Sequence, residues 1–256
     1  MTIHSSAGRP AGAAFGIVPS SPGEAPTARC GASREVGAGC LVAGDPAGRR
    51  IILVHAASSD SRAWTRLLRA VPAGQEWVAV PRPDPAPING ASRLRGGDPG
   101  VPAAALRPLL TLRRSRKPLL IGCGSGVPVA LRAVVDFPEL VGGLLLIDPM
   151  AEETTRPGVL RRIAARILPP VARDSAAELR AMAPALDAVR VPVTLVQGKD
   201  VPDGVPGASF LEQRLTGCRT LTVVTVPGQQ VLPAKHETAI RGALAALVAS
   251  VERGGA

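Results

Sequence analysis

Aromatic residues are scarce in this sequence of 256 residues, which has no tyrosine, three phenylalanines and two tryptophans. A surface that stacks the bases of single-stranded nucleic acid needs more aromatic side chains than this. Three histidines and four cysteines are present, and none has the spacing of a zinc site, so we expect no metal. The sequence also lacks a signal-peptide pattern and an apolar run long enough to span a membrane. We therefore predict a cytoplasmic protein with reduced cysteines.

Lysine is almost absent from a chain with a formal net charge of +10. Of its 30 basic residues, three are lysines, at Lys117, Lys199 and Lys235, and the others are arginines. This composition is typical of a GC-rich genome and fits an actinobacterial source. A basic chain can bind nucleic acid or an anionic membrane, but these arginines are dispersed and no nucleic-acid motif accompanies them. We predict a solvated basic surface, with neither nucleic acid nor a membrane as partner; the oligomeric state is not readable.

Two parts of the chain differ in texture. Residues 1–42 are rich in glycine, alanine, serine and proline and show no hydrophobic period, which predicts a disordered N-terminal tail. Apolar residues make up 46 % of the chain, enough for a substantial core, and they become periodic after the tail. We predict one folded domain over residues 43–256.

Short apolar runs alternate with helix-like segments throughout this domain. Continuous apolar runs are typical of strands buried on both faces, and the alternation predicts a doubly wound, mostly parallel α/β sheet. Ligands of such sheets bind at the carboxyl ends of the strands. The six runs of strand length are residues 50–55, 77–80, 118–121, 143–147, 193–196 and 221–226.

One segment, residues 150–190, interrupts the alternation and is predicted to be a small helical lid. Leu160, Ile163 and Ile167 share one face of its first helix, and arginines occupy the other face. The apolar face either covers a substrate pocket or packs on the core, and the sequence leaves both readings open.

The turn after the third apolar run, Gly122-Cys123-Gly124-Ser125-Gly126, is the most informative motif. A dinucleotide-binding turn would need a further glycine where Val127 stands, so that fingerprint fails. The alternative is a nucleophile elbow, in which a strand turns sharply into a helix.

Several motifs in a fixed order make the chain resemble the α/β-hydrolase family over about residues 40–252. Each is weak alone, but their order and spacing agree with that family. The resemblance implies an α/β-hydrolase fold with a functional site at the elbow. The motifs are Ile52 to Ala56, Trp64, Val80 to Arg82, Leu120 to Gly126, Phe137 to Pro149, Val196 to Asp200 and Val226 to Pro233.

Aligned on the elbow, the resemblance gives Gly124 the position of the nucleophile. Glycine has no side chain that could be acylated. Cys123 and Ser125 are one residue early and one residue late, and on a tight turn that displacement points a side chain away from the site. The elbow therefore lacks a nucleophile in this alignment.

The other two members of a triad are also altered. Gln230 stands where the resemblance places the catalytic histidine, and glutamine cannot accept a proton near neutral pH. Asp200 keeps the position of the acid, while Asp148 is an alternative acid position or a structural turn residue. His236, six residues after Gln230, is predicted to lie at the surface.

A backbone oxyanion hole does not depend on triad side chains. By resemblance, its donors are the N–H groups of Ala57 and Ser125, in a turn where Ala56 replaces a glycine. His55 belongs to the same turn, as a structural residue or as a base.

Three functions are compatible with the sequence, and we predict the first. It is a cofactor-independent, non-hydrolytic enzyme, such as a natural-product tailoring enzyme that forms C–C bonds, cyclises or isomerises next to a carbonyl. The second is a binding protein without catalysis, and the third is an esterase that uses Ser125 or Cys123. The substrate we expect is a bulky apolar small molecule. The side chains predicted to bind it are Cys123, Trp64, Asp148, Leu160, Ile163 and Ile167.

Overall fold

A computed structural model of the chain describes eight stretches of residues. They are residues 2–6, 34–36, 40–55, 61–80, 100–111, 116–149, 170–200 and 207–254.

Nine strands in these stretches form one sheet in the order β1-β9-β8-β7-β6-β4-β5-β3-β2. The six strands from β9 to β5 in this order run parallel, and β1, β3 and β2 add antiparallel edges. The prediction of a doubly wound, mostly parallel sheet is thereby confirmed. The strands are β1 (Thr2–Ser6), β2 (Arg34–Val36), β3 (Cys40–Gly44), β4 (Arg49–Val54), β5 (Gln75–Val80), β6 (Leu119–Cys123), β7 (Gly143–Ile147), β8 (Val193–Gly198) and β9 (Leu221–Val226).

Helices cover both faces of the sheet. The core residues of α1 and α7 belong to one apolar cluster, and those of α2 to α6 belong to the other. The helices are α1 (Thr65–Leu68), α2 (Gly100–Ala105), α3 (Arg107–Thr111), α4 (Gly126–Asp136), α5 (Pro170–Met182), α6 (Gly207–Arg214) and α7 (Glu237–Gly254), and 3-10 turns cover Ser61–Trp64 and Ala183–Ala188.

Strand β4 shows why the apolar runs become central strands. Ile52 and Val54 point into one cluster, while Ile51 and Leu53 point into the other, because successive side chains of a strand alternate between faces. All four side chains are fully buried. A strand covered on both faces needs apolar residues at every position, and this sequence supplies them.

The predicted disorder of residues 1–42 does not hold for Thr2–Ser6 and Arg34–Val36. The first of these segments pairs antiparallel with β9 and the second with β3, so each extends one edge of the sheet. Edge strands need no apolar run, since backbone hydrogen bonds alone define their pairing, and composition therefore did not indicate them. Strand β3 also begins at Cys40, before the predicted boundary of the domain.

The predicted lid falls partly on described residues. Its second half forms α5 and the following 3-10 turn, and Leu179, Met182 and Leu186 pack there against the core. Pro170 begins α5, at a position where a helix has no need of the proline N–H. Leu160, Ile163 and Ile167 lie outside the described residues, so the covering face of the lid stays a prediction.

Candidate functional site

The turn between β6 and α4 has the geometry of an elbow. Gly124 sits at its apex with φ +54°, a left-handed conformation that glycine adopts without strain. A Cβ atom at Gly126 would lie 2.5 Å from the carbonyl oxygen of Val54, and one at Gly122 would lie 2.8 Å from that of Gly126. Both flanking glycines are therefore required by close backbone packing between β6, α4 and the end of β4.

The two side chains beside Gly124 are buried. Burial, together with the nearby charge of Asp148, raises the pKa of the Cys123 thiol to about 12, so the sulfur remains protonated at neutral pH. A protonated thiol is a poor nucleophile. Ser125 precedes the first residue of α4, and its side chain makes no capping hydrogen bond to that helix.

Asp148 follows β7 directly, beside the elbow. With φ +52°, it is the only non-glycine residue in the described stretches that has a left-handed backbone conformation. Its N–H donates to the carbonyl oxygen of Val196 at 2.8 Å, which continues the pairing of β7 with β8. The N–H of Gly124 donates to the carbonyl of Ile147 at 2.9 Å, so the elbow is bonded to the residue that precedes this aspartate.

The carboxyl group of Asp148 is in an environment that opposes its ionisation. Burial raises its pKa to about 6, against the smaller opposing effects of a hydrogen bond from the N–H of Val231 and the electrostatic influence of His236. A carboxyl group with a pKa near 6 exchanges protons readily around neutral pH. Backbone strain together with a shifted pKa is the combination that functional sites show.

His236 holds the loop that carries Val231. Its Nδ1 accepts the N–H of Leu232 at 3.1 Å, and its Nε2 lies 3.3 Å from the carbonyl oxygen of Pro227 and donates to it in the matching tautomer. His236 is partly exposed and its two contacts lie at the surface, as the sequence predicted. Both ring nitrogens are engaged, so His236 positions the loop.

Asp200 and Gln230 do not join this group. The Oδ2 of Asp200 accepts the N–H of Gly228 at 3.1 Å, and the N–H of Asp200 donates to the carbonyl of Gly228, also at 3.1 Å. Asp200 therefore fastens the turn after β8 to the turn after β9. Asp200 and Gln230 are both exposed, whereas the carboxyl group of Asp148 is largely buried and accepts the N–H of Val231.

The remaining predicted residues divide into buried ones and ones outside the described stretches. Trp64 is fully buried among the apolar residues of α1, where it packs with Leu67 and Leu68, so the structure gives it a core position in place of the predicted contact with substrate. His55 is buried at the end of β4. Ala57 lies outside the described residues, and so do the three apolar lid residues.

Comparison with known structures places this arrangement in a familiar architecture. No protein-family model matches the chain, and no curated protein matches it by sequence. Among solved structures it is similar to the monoacylglycerol lipase of Paleococcus ferrophilus, with a TM-score of 0.59, 17 % identity, and coverage of 82 % of this chain and 98 % of the other. It is also similar to MenH from S. aureus, with a TM-score of 0.59, 11 % identity, and coverage of 83 % of this chain and 98 % of the other. A third similar structure is that of CarC, a serine hydrolase involved in carbazole degradation. Its TM-score is 0.57 at 17 % identity, and the match covers 85 % of this chain and 98 % of the other.

The chain has the α/β-hydrolase fold. At these identities the likeness establishes the architecture alone, so the chemistry must be argued from this chain's own residues. The fold places the elbow, the end of β7 and the loop after β9 at one edge of the sheet. These are the places where Gly124, Asp148 and Val231 lie.

Sequence reasoning singled out Asp148 but missed its support. Val231 contributes only its backbone N–H, and His236 acts through contacts with the backbone of its own loop. Neither role has a side-chain pattern that a sequence displays. No group of three or more His, Cys, Asp or Glu side chains in the described stretches could hold a metal ion. No helix within them is long and apolar enough to cross a membrane.

Proposed function

We propose that this α/β-hydrolase-fold protein is a cofactor-independent enzyme that moves a proton next to a substrate carbonyl and forms no acyl-enzyme. The reaction class is isomerisation, cyclisation or C–C bond formation on a bulky apolar small molecule. The observation that carries the proposal is the pairing, at one edge of the sheet, of an elbow whose apex is Gly124 with the carboxyl group of Asp148.

The absence of a side chain at Gly124 argues against covalent catalysis. In this fold the nucleophile belongs at the apex of the elbow, and the apex here is glycine. The neighbouring thiol of Cys123 is held protonated by burial, which raises its pKa to about 12. A substrate carbonyl placed at this elbow therefore meets no described group suited to attack it.

Asp148 supplies an acid–base group at the same place. As the carboxylate it takes a proton from the carbon beside the carbonyl, and the electron pair moves onto the carbonyl oxygen to give an enolate. The proton returns to a different carbon in an isomerisation, or the enolate carbon attacks a second carbonyl to form a C–C bond. By resemblance, the N–H groups of Ser125 and Ala57 stabilise the enolate oxygen.

The stability of the Asp148 geometry supports this role. The N–H of Val231 donates to the carboxyl group, and His236 fixes the loop from which that N–H comes. A catalytic carboxyl group held in this way needs no rearrangement when charge develops in the transition state. Placement in a natural-product pathway rests on composition alone and remains part of the proposal.

Deuterium exchange tests the proposal without knowledge of the natural substrate. The protein is incubated with a panel of cyclic and aryl ketones in D2O, and deuterium next to each carbonyl is followed by mass spectrometry. We expect catalysed exchange of at least one ketone, a loss of more than 100-fold in Asp148→Asn, and a rate that rises with pH through about 6. Tight binding of ketones with no exchange at any pH would instead identify a binding protein.

A fluorophosphonate probe tests the absence of a serine nucleophile. We expect no adduct by intact mass on folded wild-type protein, with Ser125→Ala as the matched control. A stoichiometric adduct that the substitution abolishes would show that Ser125 is a nucleophile and that the chain is a hydrolase, contrary to the proposal.

A further inference from the structure

A cavity of about 500 Å³ lies at the amino ends of the parallel strands, at the side of the sheet opposite the elbow. Five cationic side chains line it, and no acidic side chain does so among the described residues. They come from segments far apart in sequence that the fold brings together, before or at the start of β4, β6, β8 and β9. The five are Arg49, Arg116, Lys117, Arg190 and Arg219.

Arg49 lines the cavity and is both buried and incompletely paired. It is only 7 % exposed, and its Nε and Nη1 atoms have no hydrogen-bond partner among the described residues. Its Nη2 lies 3.9 Å from the Oε1 of Glu252, a long ion pair with a half-exposed carboxylate. A buried guanidinium normally has its donors satisfied, so these N–H groups have capacity for a further acceptor.

Arg50, the next residue of β4, is a buried arginine that has a close ionic partner. Arg50 points to the other face of β4, where its Nε and Nη2 both lie 2.7 Å from the Oε2 of Glu76. Both partners are buried. The two arginines are adjacent and equally buried, yet only Arg50 has a close carboxylate. The difference lies in what each faces, and Arg49 faces the cavity.

The cations around Arg49 have few acidic partners. Glu252 serves both Arg49 and Arg116, with 3.1 Å between its Oε1 and the Nη1 of Arg116. Arg190 and Arg219 donate to backbone carbonyls, those of Asp187 and Gly254, which carry no full negative charge. The lining therefore has a large excess of positive charge.

We propose that this cavity binds a phosphorylated organic small molecule that carries at least two negative charges. Guanidinium groups match phosphate oxygens in pairs, and several converge here around one space. Apolar side chains of Val141, Val191 and Pro192 complete the lining and offer a surface for the organic part. The volume lies within the range of about 300–1,000 Å³ that small-molecule sites occupy.

The site is distinct from the elbow. The parallel strands are five or six residues long, and at about 3.3 Å per residue they separate the two edges by roughly 15–20 Å. A ligand here does not touch Asp148 or Gly124. The sequence predicts a solvated basic surface of dispersed arginines, and the fold gathers part of that charge into a concave site.

Calorimetric titration with inorganic pyrophosphate and with ATP tests the proposal. Adenosine and sulfate, at matched ionic strength, serve as ligand controls. We expect ATP and pyrophosphate to bind with dissociation constants below about 100 µM and to raise the melting temperature. Adenosine and sulfate should bind at least tenfold more weakly.

Two sets of variants locate the binding. Arg49→Met should weaken ATP binding by tenfold or more. The double variant Arg116→Gln/Arg219→Gln changes exposed residues only, should fold normally, and should weaken binding by fivefold or more. The matched control, Arg66→Gln/Lys199→Gln, removes two charges outside the cavity and should change affinity by less than twofold.

Three results would overturn the proposal. One is the absence of binding of either phosphate ligand to folded protein. Another is binding of sulfate as tight as that of pyrophosphate, with the same rise in melting temperature, which would indicate anion screening with no selection of phosphate. The last is an equal loss of affinity in the control variant, which would mean that overall charge attracts the ligand. None of these results bears on proton transfer at Asp148, so the two proposals fail separately.

Discussion

The carboxyl ends and the amino ends of the parallel strands form two edges of the sheet that differ in backbone packing and in charge. At the carboxyl edge the backbone is packed so closely that Gly122 and Gly126 allow no Cβ atom, and one carboxyl group is kept in an environment that disfavours its charge. At the amino edge five cationic side chains surround a cavity. One edge is therefore suited to position a reacting group, and the other to attract an anion. The sheet holds them apart, so each can be altered separately.

The largest expected effect comes from the two adjacent arginines of β4. Arg50→Met leaves the carboxylate of Glu76 buried without its partner, and we expect a loss of about 3–5 kcal/mol in the free energy of unfolding. Arg49→Met removes a buried charge that has no close acceptor, and we expect the free energy of unfolding to stay within about 1 kcal/mol or to rise. Urea denaturation of ligand-free protein measures both. Equal losses would contradict the contrast drawn between the two faces of β4.

The next effect is the pH dependence of Asp148→Asn. The pKa of this carboxyl group is raised from 3.8 to about 6 in the folded protein, so the folded state holds the proton more tightly than the unfolded state. Stability therefore falls as pH rises from about 4 to 6, and ionisation costs roughly 3 kcal/mol above that window. Asparagine carries no such cost and can still accept the N–H of Val231. The variant should thus be more stable than wild type at pH 7.5 and equally stable near pH 4.

This prediction can be checked by urea denaturation at both pH values. If Asp148→Asn were destabilising by the same amount at each pH, the carboxylate would be a paired structural group and not a strained one. Asp148→Asn is therefore expected to lose proton transfer and to gain stability, a trade-off between activity and stability that is common at active sites.

The sequence predicted the central strands and the elbow for clear physical reasons. Apolar runs such as Ile51 to Val54 have one stable place, the middle of a sheet covered on both faces, and the glycines of the elbow mark a close backbone approach. Edge strands such as Thr2–Ser6 carry no such signal, because their pairing uses backbone groups only. The cavity was invisible for another reason. Its arginines are far apart in sequence, and only the topology shows that they converge.

The site itself was predicted in part. The resemblance to the α/β-hydrolase family implied that Asp148, Cys123 and Gly124 lie near one another. Contacts that join the ends of neighbouring strands decide which groups meet. The surface position of His236 was predicted but its role in holding the loop was not, because its two contacts run to the backbone of that loop. A histidine immediately before a helix gives no indication of this in the sequence.

A third prediction concerns the packing of the elbow. Gly126→Ala would place a Cβ atom 2.5 Å from the carbonyl oxygen of Val54, an obstacle that can move only with its strand. We expect a loss of about 1–3 kcal/mol in the free energy of unfolding. The matched control is Gly242→Ala in α7, where a Cβ atom would meet nothing within 4 Å. It should stabilise the protein by about 0.5–1 kcal/mol, because alanine is the better helix residue.

The smallest expected effect separates the two aspartates at the carboxyl edge. By sequence, Asp200 stands in the ordinary position of the acid, yet its carboxylate is exposed and accepts the N–H of Gly228 in a neighbouring turn. Asparagine can accept the same hydrogen bond, so Asp200→Asn should change the rate of ketone deuterium exchange by less than threefold. Its effect on stability should remain below about 1 kcal/mol.

Asp148→Asn, measured in the same assay, provides the matched comparison. Both variants remove one negative charge from the same edge of the sheet, so a general electrostatic effect would lower both rates alike. A large loss confined to Asp148→Asn requires that the group close to the elbow carries the proton. A large loss in Asp200→Asn with little change in Asp148→Asn would reverse the assignment, since it would mean that the turn after β8 moves its carboxylate into the site when substrate binds.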